Sequence, residues 1–200
     1  SELGDNDCLS SRKPMKHAVF YCLKGMVNDG HRFVDQAIAN GAIVIIHSDE
    51  LVYQPNITYI HVNDVLEELN RTAAIFFHKP HQKMNLIGVT GTNGKSTIAK
   101  TIKEIYNHFE ACGYSGTISI EYGQVIEKPD YTTDETVPTL KMLRRMLKAG
   151  MKAVCMEVSS QGLDQKRVDA LEFDVAIFTN LTHDHLDYHG NFESYYLAKK

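Results

Sequence analysis

The sequence predicts an α/β protein with two domains, a small one over residues 1–83 and the first part of a larger one over residues 84–200. Apolar runs typical of strands alternate with helical patterns along the whole chain. A glycine-rich loop at 86–97 lies between an apolar run and a helical pattern. A polar segment at 80–83 that begins with proline separates the two parts and is predicted to be a linker.

The first domain is predicted to contain three strands and two helices. The helical spacing at 33–40 stops at Gly41, which is a common residue just after a helix. The run at 42–47 is rich in β-branched residues and predicts a buried strand. The other elements are strands at 18–23 and 57–62 and a helix at 65–77.

The second domain is predicted to have a mostly parallel sheet. Helices are predicted at 98–109 and 139–148, a strand interrupted by Gly116 at 114–122, a polar loop at 128–136, and buried strands at 153–158 and 173–178. Ligands of such sheets gather at the carboxyl ends of the strands. Glu157 and the segment after Asn180 are therefore expected at the same edge as the glycine-rich loop.

The glycine-rich loop predicts a nucleotide phosphate site in a domain like that of the P-loop NTPases. Glycines let backbone N–H groups face an anion, and the following helix directs its positive end towards it. Lys95 would reach the outer phosphates, and the Ser96 hydroxyl would ligate Mg²⁺. Five residues rather than four separate Gly88 from Gly94, so a chance loop remains the alternative. The residues predicted to bind the nucleotide phosphates, which the resemblance given below implies to be those of ATP, are Gly91, Thr92, Asn93, Gly94, Lys95, Ser96 and Thr97.

Metal ligands are predicted at two further positions. Glu157 ends an apolar strand, where a carboxylate can hold Mg²⁺ or cap the next turn. The segment 180–190 contains three histidines, but it lacks the cysteine or spaced fourth ligand of a zinc site. His185 is therefore predicted to join an oxygen-rich Mg²⁺ site, whereas loop capping remains open for His183 and His189.

Two polar clusters have the composition of a binding surface or of ordinary loops. One cluster follows the Glu157 strand and consists of Ser159, Ser160, Gln165 and Arg167. Arg167 could hold a carboxylate through two hydrogen bonds. Thr132 and Thr133 could bind a sugar or a peptide.

Composition narrows the class of partner. A net charge of −4 argues against nucleic acid as the main partner. The four cysteines have no paired spacing, which indicates reduced thiols in a cytoplasmic protein. No apolar run approaches the ~20 residues needed to cross a bilayer, and neither a signal peptide nor a membrane partner is expected. A monomer is expected.

Together these motifs resemble the Mur ligases. The resemblance rests on residues 91–97, 157–160 and 179–190, with support at 11–12, 29–30, 132–133 and 165–167. The run Asp-His-Leu-Asp-Tyr-His-Gly is the most specific part. It favours the members that add the third residue to UDP-N-acetylmuramoyl-L-alanyl-D-glutamate over folylpolyglutamate and cyanophycin synthetases, which are similar in the phosphate loop.

The resemblance implies an ATP- and Mg²⁺-dependent ligation through an acyl phosphate, with L-lysine or meso-diaminopimelate as the amine. It implies that Lys95 contacts the ATP phosphates, that Ser96, Glu157 and His185 hold the metals, and that Lys199 is carbamylated to become a further metal ligand. Judged from its own sequence context, Lys199 is a solvated helix lysine. The implied ligands of the muramoyl-peptide are Thr132, Thr133, Ser159, Gln165 and Arg167, and Ser11 is expected to contact the uridine nucleotide.

This sequence departs from the family pattern at Pro14, His17, Asp134 and Gln161. The resemblance also implies that the central domain continues beyond residue 200 and that a third domain follows it, with part of the ATP site and the recognition of the amino acid. Two alternatives therefore stay open: a binding module without turnover, and another P-loop NTPase or phosphotransferase.

Overall fold

A computed structural model describes residues 17–25, 28–182, 184 and 186–199. The chain forms two compact units, residues 1–69 and 70–200. The division falls inside helix α2 (Val65–Phe76), and the domain boundary after residue 83 stays a prediction. Among the described residues, no helix has the length and apolar character needed to cross a membrane.

The first unit contains a parallel three-stranded sheet in the order β1-β2-β3. Its strands and its helix follow the predicted order and agree with the predicted positions to within a few residues. A 3₁₀ helix at Gly30–Phe33 leads directly into the helix. The elements are β1 (Ala18–Tyr21), α1 (Val34–Ala39), β2 (Ala42–His47) and β3 (Thr58–His61).

The second unit contains a six-stranded sheet in the order β7-β6-β5-β8-β4-β9. Four neighbouring strands, β5, β8, β4 and β9, are parallel, which confirms the mostly parallel sheet. The strands are β4 (Asn85–Thr90), β5 (Cys112–Ser115), β6 (Ile120–Tyr122), β7 (Val125–Glu127), β8 (Ala153–Glu157) and β9 (Val175–Phe178). The helices are α3 (Lys95–Asn107), α4 (Thr136–Lys148), α5 (Ser160–Asp164), α6 (Leu186–His189) and α7 (Phe192–Lys199).

Three predicted elements differ from the structure. The single strand predicted at 114–122 is an antiparallel pair, because a turn in which the Gly116 N–H donates to the Ser119 carbonyl reverses the chain. Strand β9 was predicted to be buried, yet it lies at the sheet edge with Val175 and Phe178 about half exposed. The predicted linker contains a 3₁₀ helix, Pro80–Lys83, in which Pro80 and His81 are buried.

The largest apolar cluster of the second unit contains the inner face of α4, with Leu140, Leu143 and Met146 fully buried. We expect Leu143→Ala to lower the free energy of unfolding by about 3 kcal/mol, because it leaves a cavity in a packed core. Urea denaturation of the purified chain measures the loss. Ile105→Ala, at an exposed position of α3, is the control and should cost well under about 1 kcal/mol. A loss as small for Leu143→Ala would contradict the assignment of this residue to the core.

Candidate functional site

The predicted phosphate loop connects β4 directly to α3. Gly91 and Gly94 have φ angles of +141° and +83°, which residues other than glycine rarely adopt. A Cβ on Gly91 would lie 1.9 Å from Thr179 Oγ1, so the chain passes too close for any larger residue. Helix α3 begins at Lys95, earlier than predicted, and its unpaired N–H groups therefore lie at the loop.

The segment that follows β9 holds this loop in place. The Thr92 N–H donates to the Asn180 carbonyl at 2.9 Å, and the Asn93 N–H donates to Asn180 Oδ1 at 3.0 Å. The Asn93 carbonyl accepts from Thr179 Oγ1 at 2.7 Å and from Asn180 Nδ2 at 3.1 Å. These bonds confirm that the residues around Asn180 lie at the same edge of the sheet as the phosphate loop.

Lys95 folds over the loop that precedes it. Its Nζ donates to the carbonyl oxygens of Gly91 and Thr92, each at 3.0 Å. Burial, and then the positive charge of Lys199, lower the pKa of Lys95. The positive charges of Lys95 and Lys199 therefore repel each other. An anion bound at the loop would relieve their repulsion and could take the place of the two carbonyl acceptors.

Glu157 is the last residue of β8 and is buried, with 1 % of its surface exposed. Its Oε1 accepts from the Tyr114 hydroxyl and, at 3.2 Å, from the Thr117 N–H, while its Oε2 accepts from Thr117 Oγ1 at 3.2 Å. All three donors are neutral. Because a buried carboxylate is stabilised best by a positive charge, the arrangement suits a bound cation.

Tyr114 lies between Glu157 and the phosphate loop. Burial, and then its hydrogen bond to Glu157, raise the pKa of Tyr114, whereas the neighbouring Ser96 hydroxyl acts in the opposite direction. The two predicted metal ligands Ser96 and Glu157 are thus both neighbours of one phenol group. Sequence reasoning missed Tyr114 and Thr117. Tyr114 lies near the end of β5 beside β8, and Thr117 follows that strand by two residues, where ligands of parallel sheets gather.

The predicted peptide-binding residues form one connected cluster next to Glu157. Thr133 Oγ1 donates to the Glu157 carbonyl at 3.1 Å and accepts from the Ser159 N–H at 2.9 Å. Arg167 Nη1 donates to the Thr133 carbonyl at 2.7 Å, and its Nε and Nη2 donate to Gln165 Oε1 at 2.9 and 2.6 Å. The side chains are therefore fixed relative to Glu157 before any ligand binds.

Two members of this cluster also form hydrogen bonds with residues outside it. The Ser159 hydroxyl accepts from the Gly162 N–H at 3.0 Å and caps helix α5. Thr132 Oγ1 lies 2.9 Å from Thr117 Oγ1, a donor to Glu157. A ligand bound to Thr132 would therefore be connected to the Glu157 carboxylate through one hydroxyl, that of Thr117.

Lys199 is not the solvated lysine that its sequence context indicates. It is 8 % exposed on α7, and burial lowers its pKa to about 8. Its Nζ donates to the Tyr195 hydroxyl at 2.8 Å and lies 4.3 Å from the centre of that ring. The Tyr195 hydroxyl in turn lies 2.9 Å from Thr92 Oγ1, so Lys199 is connected to the phosphate loop.

Tyr195 is a further residue that sequence reasoning missed. Its position four residues before Lys199 places both side chains on the same helix face, and this spacing is the signal that could have revealed it. Ser11 and His185 lie outside the described residues, as does His183. The roles of Ser11 and His185 in binding stay predictions.

Comparison with known protein families gives two matches along the chain. The model of the Mur ligase middle domain matches residues 89–200, and that of the Mur ligase family catalytic domain matches residues 8–76. The first match includes the phosphate loop, Glu157 and Lys199.

Individual relatives are also named as ligases. A UDP-N-acetylmuramoyl-L-alanyl-D-glutamate–2,6-diaminopimelate ligase of Geobacter sulfurreducens is 40 % identical over 190 residues, covering 94 % of this chain and 37 % of that protein. The enzyme of that name in Phocaeicola vulgatus is 42 % identical over 188 residues, covering 91 % of this chain and 38 % of its own length.

A solved structure of a ligase with the same name superposes with a TM-score of 0.78 at 30 % identity. The superposition covers 96 % of this chain and 39 % of that one. The chain thus spans about two fifths of the length of these relatives. The match to the middle-domain model covers more than half of the residues of this chain. The chain therefore belongs to the Mur ligase family.

Proposed function

We propose that this chain provides the nucleotide-precursor and ATP-binding parts of a ligase in peptidoglycan-precursor synthesis. The protein would act as a cytoplasmic monomer and would add a diamino acid to UDP-N-acetylmuramoyl-L-alanyl-D-glutamate. The main support is the convergence of the phosphate loop, Glu157 and Lys199 at one edge of a parallel sheet. The relatives are named for 2,6-diaminopimelate, which makes it the first amine to test, with L-lysine as the alternative.

In the proposed reaction, the D-glutamate carboxylate attacks the γ-phosphorus of ATP, and the bond to the β–γ bridging oxygen breaks. ADP leaves, and an acyl phosphate remains. The amine of the diamino acid then attacks the acyl carbon, phosphate leaves, and the nitrogen loses a proton. Two anions must meet in the first step, so Lys95 would hold the phosphates and reduce their repulsion.

Mg²⁺ fits the donor set around Glu157. Ser96 and Glu157 supply the oxygen ligands that Mg²⁺ prefers, and Glu157 is a buried carboxylate with neutral partners. A carbamate on Lys199 and the imidazole of His185 would complete the set. When bound, the ion would neutralise phosphate charge as it develops. Thr132, Thr133, Ser159, Gln165 and Arg167 would hold the peptide beside Glu157.

Carbamylation of Lys199 yields a separate prediction. The free amine attacks CO₂ and loses a proton, and a pKa of about 8 leaves about a tenth of the chains with a free amine at pH 7. We expect a carbamate signal in ¹³C NMR of the chain equilibrated with ¹³C-bicarbonate. The signal should be absent in Lys199→Arg and present in Lys100→Arg, whose lysine pairs with Glu121. An unchanged spectrum in Lys199→Arg would exclude this lysine as the site.

Phosphate release tests the ligase activity on a protein of the relatives' length that contains this chain. We expect release that requires ATP, UDP-N-acetylmuramoyl-L-alanyl-D-glutamate and the diamino acid together. A rate of ATP hydrolysis that does not depend on the muramoyl-dipeptide would favour the alternative function of a different NTPase or phosphotransferase. Calorimetry of the 200-residue chain with UDP-muramoyl-dipeptide tests the binding module, and turnover by this chain alone would rule out that alternative.

A further inference from the structure

The hydroxyl of Tyr195 connects the phosphate loop to Lys199. The Tyr195 side chain is fully buried on α7. Its oxygen accepts from Lys199 Nζ at 2.8 Å and lies 2.9 Å from Thr92 Oγ1. Thr92 Oγ1 accepts from the Thr182 N–H at 3.0 Å and lies 3.3 Å from the Thr182 carbonyl oxygen.

Proton counting fixes one end of this chain of bonds. A lysine ammonium has only donors, so the Tyr195 oxygen must be the acceptor in its bond to Lys199. Between Tyr195 and Thr92 either hydroxyl can donate. Thr92 Oγ1 also accepts from the Thr182 N–H and can donate to the Thr182 carbonyl. The hydrogen bonds therefore run without a break from Lys199 to the backbone beyond β9.

Thr92 is also tied to the residues that define the phosphate loop. Its carbonyl accepts from Lys95 Nζ, and its N–H donates to the Asn180 carbonyl. A change of loop conformation at Thr92 would therefore move the hydrogen-bond partner of the Tyr195 hydroxyl. Through that hydroxyl it would also change the position of the Lys199 amine.

We propose that Tyr195 is a positioning residue whose hydroxyl holds Lys199 against the phosphate loop, so that the loop conformation and the accessibility of the Lys199 amine are coupled. The coupling to nucleotide rests on the proposed function, because it requires that the loop binds phosphates. The hydrogen bond that holds Lys199 does not depend on the proposed function, because it forms without nucleotide. The two parts can be tested separately.

Packing alone is the competing role for this side chain. The ring of Tyr195 lies 5.2 Å from that of His189 and 6.5 Å from that of Phe192, measured between centroids. Tyr195→Phe keeps the ring and removes only the hydroxyl, so it separates packing from positioning. Tyr106→Phe is the matched control, because its hydroxyl accepts from Asn85 Nδ2 at 2.7 Å elsewhere in the same unit.

The test measures the rate at which Lys199 of the 200-residue chain reacts with an amine-selective acylating reagent, using peptide mass spectrometry. We expect Tyr195→Phe to accelerate labelling at Lys199 at least about fivefold, because the ammonium loses its acceptor in a buried position. Tyr106→Phe should leave the rate unchanged. Thr92→Val removes the hydrogen-bond partner of the phenol and should also accelerate labelling. It also decides the question if Tyr195→Phe fails to fold.

Addition of MgADP tests the coupling. In the wild-type chain we expect nucleotide to change the labelling rate of Lys199 several-fold, and in Tyr195→Phe we expect this response to disappear. An unchanged labelling rate in folded Tyr195→Phe and Thr92→Val would overturn the positioning role. Calorimetry that finds no MgADP binding to the wild type would overturn the proposed nucleotide site and the coupling, while the rates without nucleotide would still decide the positioning role.

Discussion

Lys95→Ala is expected to reduce kcat/KM of a ligase that contains this chain by about a hundred- to a thousandfold. The Lys95 ammonium lies at the loop that would hold the ATP phosphates, bonded to two carbonyl oxygens of the loop itself. Alanine removes the positive charge from the place where the negatively charged phosphoryl group would be transferred. Phosphate release at varied ATP concentration measures the loss.

The control lies on the same helix. Lys103 pairs with Glu121 at 3.0 Å on strand β6, and Lys103→Ala should retain nearly normal turnover. Lys95→Ala should change the free energy of unfolding by less than about 1 kcal/mol, since Lys95 is only half-buried and its Nζ bonds to the loop carbonyl oxygens. Near-normal activity of Lys95→Ala would mean that the loop is not the ATP site.

Glu157→Gln should reduce activity about a hundredfold and raise the Mg²⁺ concentration needed for half-maximal turnover. The substitution keeps the shape of the side chain but removes its charge. The NH₂ group of the new amide would also face the hydroxyl of Tyr114 or of Thr117, which now donates to a carboxylate oxygen. Initial rates at fixed ATP over a wide range of Mg²⁺ measure both effects.

Glu121→Gln is the matched control for charge. Glu121 is an acid of strand β6 in the same sheet, and its partners are Lys100, Lys103 and Ser119 rather than groups of the phosphate loop. Its substitution should leave the Mg²⁺ dependence unchanged. A Glu157→Gln enzyme with the wild-type Mg²⁺ dependence would remove Glu157 from the set of metal ligands.

Elements with a strong local signal could be predicted from the sequence. Strand β8 is a continuous apolar run that ends in Glu157, and the phosphate loop has glycines where the backbone needs positive φ. Strand β9 has a similar apolar run but lies at the edge of the sheet. A residue pattern records the apolar character of a strand, but its place in the sheet depends on distant pairings.

The surroundings of single polar residues could not be predicted for the same reason. Lys199 is buried because Tyr195 offers its nitrogen an acceptor, and Tyr195 in turn depends on Thr92, which is 103 positions away. Arg167 and Thr133 are joined across 34 positions. Composition shows only that these loops are polar, and the fold decides which of their side chains meet.

The position of β4 between β8 and β9 has a consequence for biosynthesis. Asn93 in the phosphate loop and Asn180, which holds it, are 87 positions apart. The ribosome therefore completes the loop long before the segment that fixes its shape has been made. Pairing over such a separation is a slow step in folding. A nascent chain should gain affinity for nucleotide only when β9 has joined the sheet, so this affinity would report the completion of the sheet.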